Sequence, residues 1–119
     1  MPLAVWLNIG YGPSGRPNIA DLVQILALEA IDSDTFEGRS GPAMGPRLFG
    51  GHAVAQALLS ASQAEDAARM PHSLHAHFLK AGSSAQPVRY TVTPLSAGRS
   101  FAVRRVDGFQ GDTLIFTMT

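Results

Sequence analysis

From Gly51 to Ala64 the chain reads GHAVAQALLSASQA, a run of strong helix formers that is apolar nearly all round and built mostly of small side chains. A helix without a broad polar face has to be buried. Small side chains also let other backbones approach from several directions, so the neighbours of this helix are expected to be strands wrapped around it. Beyond Met70 the period changes. His72 to Leu79, Val88 to Leu95, Ser100 to Val106 and Thr113 to Met118 each alternate apolar with polar residues, the signature of half-buried strands. The links carry turn residues, Ser96-Ala97-Gly98 in one and Gly108-Phe109-Gln110-Gly111-Asp112 in another, which predicts that consecutive strands pair as an antiparallel meander. Strand, buried helix, then meander is an α+β order.

Upstream, Asn18 can cap a helix whose third residue is Asp21 and whose apolar stripe is Ile19, Leu22, Val23, Ile25 and Leu26. Leu28 to Phe36 is expected as the first strand, and Glu37 to Pro46, with three glycines and two prolines, as a loop. Residues 1–17 begin with an apolar run, Met1 to Ile9, that lacks a basic flank and falls short of the roughly 20 residues a membrane span needs. Gly10, Gly12, Pro13, Gly15 and Pro17 then break any regular element. These residues are expected to be a loose N-terminal arm, and 18–119 a single domain.

A length of 119 residues suits one hydrophobic core and not two. With 45% apolar and 15% charged residues, the polar surface is small for a free monomer, and burial against a partner would resolve that. Nine basic and nine acidic residues cancel, so the field that would draw in a nucleic-acid backbone or an anionic membrane is missing. The chain has no cysteine, which removes a disulfide framework, a thiolate metal site and a cysteine nucleophile together and points to the cytoplasm. No glycine-rich phosphate loop is present, which leaves nucleotide hydrolysis without support. His75 and His77 share a strand face, but no third ligand accompanies them, and neither a metal nor another cofactor is expected.

Several words of the sequence are more specific. Arg47-Leu48-Phe49-Gly50-Gly51 leads into Ala55-Gln56-Ala57-Leu58; His72-Ser73-Leu74-His75-Ala76-His77-Phe78-Leu79 follows; then come Gly98-Arg99-Ser100-Phe101, Arg104-Arg105-Val106 and Ile115-Phe116-Thr117-Met118. From about Asn18 to the last residue this order resembles the N-terminal repeat of the acyl-CoA thioesterase II family. The resemblance implies a hotdog fold, an antiparallel sheet wrapped around a long central helix. It also implies hydrolysis of fatty acyl-CoA to free acid and CoA by a chain with two such repeats. The family's catalytic Asp, hydroxyl residue and Gln resemble a set supplied by the second repeat, so none is carried over, and a second repeat or a homodimer partner is expected to complete the site.

Thioester hydrolysis needs an activated water or a carboxylate, with donors for the oxyanion. No Asp or Glu lies between Arg39 and Ala64. His72 is the candidate catalytic residue, able as a neutral imidazole to orient or deprotonate water; the alternative is a hydrogen-bonded histidine at a strand end. Phe49, Gly50 and Gly51 are candidate substrate-binding residues, because they set backbone N–H groups at the positive end of the helix; otherwise the glycines serve a tight turn. Arg99, Ser100 and Arg104 are candidates for the CoA phosphates, against a reading as solvated strand faces. Arg104 and Arg105 must point to opposite faces, so only one can join such a site. Phe78, Tyr90, Phe101, Phe116 and Met118 are expected in the core, some of them lining an acyl tunnel. The competing functions are a non-catalytic hotdog that binds an acyl ligand or a partner and, last, a hotdog dehydratase, which would need an Asp beside His52.

Overall fold

A computed structural model of the chain describes residues 19–39, 46–63 and 69–119. The expectations for residues 1–17, Asn18 and Ala64 therefore lie outside the described residues. The elements are α1 (Ile19–Ile25), β1 (Glu29–Ala30), β2 (Thr35–Gly38), α2 (Gly50–Gln63), β3 (Ala76–Phe78), β4 (Val88–Ala97), β5 (Ala102–Gln110) and β6 (Thr113–Met118). All six strands form one sheet in the order β1-β2-β4-β5-β6-β3, every pair antiparallel.

The period-two pattern sends Val88, Tyr90 and Val92 of β4, Val106 of β5, and Phe116 and Met118 of β6 to one face, where they meet Phe36 of β2 and Ala53 and Ala57 of α2. The two alanines are almost fully buried, and their size lets α2 lie close against the sheet. Two hydroxyls of α2 are satisfied within the helix. The Ser60 hydroxyl donates to the Gln56 carbonyl (2.8 Å) and the Ser62 hydroxyl to that of Leu58 (2.8 Å).

Four expectations are corrected. The span from Leu28 to Phe36 is a hairpin and not one strand, because Asp32-Ser33-Asp34 has its own turn chemistry. The Asp34 N–H donates to Asp32 Oδ1 (3.1 Å) and the Ile31 N–H to the Thr35 carbonyl (2.8 Å). That backbone donor also holds the Asp32 carboxyl below its usual range. Glu37 and Gly38, expected in a loop, complete β2 opposite Arg89 and Val88.

The strand expected over His72 to Leu79 is regular only at Ala76–Phe78 and does not pair with its successor. It crosses to the far edge and pairs with β6, which leaves only β4-β5-β6 as a meander. Finally, β5 runs on through Gly108, Phe109 and Gln110, so the turn shrinks to Gly111-Asp112, with Gly111 at a φ of 58° that favours glycine.

Candidate active site

A polar junction lies inside the apolar core. Gln56 on α2 is wholly buried, and its amide makes three hydrogen bonds. Nε2 donates to the carbonyls of Ile25 (2.9 Å) and Arg39 (3.0 Å), and Oε1 accepts from the Tyr90 hydroxyl (2.8 Å). One side chain thus ties α1, the end of β2 and β4 to the helix. Burial pushes the Tyr90 phenol up, so it stays a neutral donor. Two residues beyond Gly108, the β5 partner of Tyr90, Gln110 acts similarly, donating to the carbonyls of Ser83 (2.7 Å) and Gln86 (3.1 Å) and accepting from the Ser83 N–H (2.9 Å). Gln56 thus fixes the helix against the sheet, and Gln110 fixes the segment that leads into β4. The signal for Gln56 was present in the sequence as a polar residue in the middle of an alanine-rich run.

A groove of about 520 Å³ opens beside the C-terminal half of α2. Leu58 and Ala61 of the helix and Met118 of β6 form its apolar floor. One wall is the extended segment from Arg69 to His75, and the other is the β4–β5 turn with the start of β5, from Ser100 to Arg104. Among the described residues that line it are Arg69, His72, His75 and Arg104, and no carboxylate side chain. The walls are pinned together by Arg69, whose Nη2 donates to the Gly98 carbonyl (2.6 Å). The ring of Phe101 meets that of His72 edge-on, with centroids 5.6 Å apart.

Of the residues singled out from sequence, the structure brings His72, Ser100 and Arg104 into this groove. Arg99 is exposed on the neighbouring turn. Arg105 points to the opposite face and binds Asp107 (3.2 Å), as strand geometry requires. Phe49, Gly50 and Gly51 lie at the other end of α2. Gly50 lines a second hollow of about 410 Å³ with Ala53, Phe78, Lys80 and Phe116. The helix rises about 1.5 Å per residue, so Gly50 and Ala61 are about 16 Å apart along its axis.

Tyr90, Phe116 and Met118 are core as expected, whereas Phe78 and Phe101 are 60% and 68% exposed. Phe78 sits on β3, the edge strand of the sheet, and Phe101 in the turn between β4 and β5, so each lies at the margin of the core. His75 and His77 do share a face, with rings 4.7 Å apart. No cluster of three metal-binding side chains occurs among the described residues.

A residue that sequence reasoning passed over as a site is His52, in the first turn of α2. It is 7% exposed, its ring meets Phe49 (5.7 Å), and its Nδ1 has no hydrogen-bond partner. Burial lowers its pKa, which keeps it neutral.

An antiparallel sheet wrapped on a long central helix, with an apolar groove at the helix flank, defines a hotdog domain of the thioesterase type. Comparison with known proteins fixes the family. Residues 39–119 match the family model described as the acyl-CoA thioesterase N-terminal domain, and the chain belongs to that family. It is 38% identical over 104 residues to human acyl-coenzyme A thioesterase 8, covering 87% of this chain and 33% of that protein. It is 39% identical over 99 residues to acyl-CoA thioesterase 2 of Haemophilus influenzae, covering 83% and 35%. The solved tesB protein of Mycobacterium avium subsp. paratuberculosis superposes with a TM-score of 0.80 at 40% identity, over 85% of this chain and 41% of that one. The chain thus spans about a third of the length of the curated relatives it matches.

Proposed function

We propose that this chain is the first hotdog repeat of an acyl-CoA thioesterase, which hydrolyses fatty acyl-CoA to the free acid and CoA only with a second repeat or a partner copy. The observation that carries the reading is the groove beside α2. An apolar floor under a lining whose described ionisable side chains are all basic or imidazole suits a ligand with a hydrocarbon chain and anionic phosphates.

In this reading the acyl chain lies over Leu58, Ala61 and Met118, and Arg104 and Ser100 hold the CoA end, with Arg99 on the turn beside them. His72 sits by the reacting carbonyl, where a neutral imidazole takes a proton from water as its oxygen attacks. The carbonyl electrons move onto oxygen, and collapse of that oxyanion expels the CoA thiolate. The α2 start does not line this groove and lies about 16 Å along the helix from Ala61 on its floor. Phe49, Gly50 and Gly51 are therefore assigned to a carbonyl or anionic group presented by the second repeat, where the helix dipole favours negative charge. We place the enzyme in the cytoplasm and in fatty-acid metabolism.

The second reading is a non-catalytic hotdog that binds an acyl ligand or assembles with a partner. It is favoured by the lack of a carboxylate side chain among the described residues of the groove. The test is hydrolysis of medium- and long-chain acyl-CoA by the purified chain, with its solution mass measured on the same sample. The proposed reading expects acyl-CoA binding, little turnover by the chain alone, and turnover once the second half is supplied. Binding that remains without turnover in the presence of that half would favour the second reading.

A further inference from the structure

We propose that Phe101 determines specificity at the acyl carbons next to the thioester, by walling off the space beside His72 so that straight chains enter and α-branched chains do not. The inference rests on the reading of the groove as the acyl-CoA site. Phe101 is a large apolar ring left 68% exposed in a turn, where burial cannot account for it. Its edge meets the His72 ring at a centroid distance of 5.6 Å, so any carbonyl that approaches the imidazole from the groove has Phe101 as its neighbour.

The turn that carries the ring is also held in place. The Gly98 N–H donates to the Phe101 carbonyl (2.8 Å), which closes the turn, and the Gly98 carbonyl accepts from Arg69 (2.6 Å), which belongs to the same segment as His72. The two walls are thereby fixed relative to each other. Widening the gap to admit a branch next to the carbonyl would strain this link or turn the ring away from His72. Among the described residues that line the groove, Phe101 is the one phenyl ring, so the restriction is assigned to the reacting end and not to the whole chain.

The experiment compares octanoyl-CoA with 2-methyloctanoyl-CoA on the 119-residue chain. The ratio of dissociation constants is read by calorimetry, or the ratio of kcat/KM where the thioester turns over. A single misplaced methyl in a fitted pocket is worth about tenfold or more, so the wild type should favour the straight chain by that factor. Phe101→Ala should bring the ratio to within about twofold, with Phe101→Leu intermediate. Because the ring is exposed, neither variant removes core packing, and circular dichroism checks that both fold. An unchanged ratio in Phe101→Ala, with octanoyl-CoA still bound, overturns the inference and leaves the groove reading standing. Failure of the wild type to bind either ligand overturns the groove reading, and the inference with it.

Discussion

Replacing Gln56 with alanine should cost this domain a large part of its stability. The side chain is fully buried and makes three hydrogen bonds of 2.8–3.0 Å, to Ile25, Arg39 and Tyr90. At about 1 kcal/mol net for each bond, the loss is about 3 kcal/mol, and it takes a partner from the buried Tyr90 phenol and from the Ile25 and Arg39 carbonyls. The void left by the stem adds about 1 kcal/mol or more. A total of about 4 kcal/mol is a large fraction of the 5–15 kcal/mol typical of a folded domain. Urea denaturation followed by circular dichroism measures it as a fall in midpoint at constant slope. A companion cycle isolates the central bond. Tyr90→Phe should cost about 1 kcal/mol in the wild type and nothing, or slightly less than nothing, once Gln56 is alanine, because the phenol is then already an orphan. A loss below about 1 kcal/mol for Gln56→Ala, or equal Tyr90→Phe costs in both backgrounds, would refute the view of Gln56 as the junction of α1, β2 and β4.

Gly38 lies so close to the Gln56 amide that a Cβ there would collide with it. Gly38→Ala should therefore destabilise the domain by about 1–3 kcal/mol, and the same change made on top of Gln56→Ala should cost far less in the same melts. His52 gives a pH dependence. Burial lowers its folded pKa below the unfolded value, so the unfolded chain binds more protons. Its contribution is intact above the unfolded value near 6.5 and is lost as pH falls from there toward the folded pKa; His52→Leu should flatten the melting-temperature profile across that range. In the groove, Arg104→Gln should weaken acyl-CoA binding by about tenfold, with a smaller effect at high salt. Arg105→Gln, on the opposite face, should leave binding unchanged when both are measured by calorimetry.

The run of small helix formers made α2 legible, and period-two alternation did the same for β4 to β6. Register across the sheet was not legible. Ala76–Phe78 alternates like any strand, and nothing in its own residues says that its partner is β6 and not β4. The hairpin at Asp32–Asp34 was readable in principle from its turn residues, but the flanking strands are too short for their period to show. For the site, strand alternation separated Arg104 from Arg105, and the family words pointed to His72. What sequence could not show is that Phe101 lies outside the core and meets His72, since alternation carries no information on which turn residue stays exposed. The unpartnered nitrogen of His52 was equally invisible, because it depends on what surrounds the first turn of α2 and not on the residue itself.

The pairing of β3 with β6 also dictates an order of events in folding. Phe78 meets Phe116, Ala76 meets Met118, and the whole β4-β5 hairpin lies between them in the chain. Closing that long loop is entropically unfavourable until β4, β5 and β6 have formed a meander from contacts local in sequence. During synthesis, β3 therefore leaves the ribosome early and waits, its backbone donors and acceptors served by water, until the last strand emerges. The segment carrying His72 and Leu74 waits with it, so one wall of the groove is among the last parts of the domain to be set.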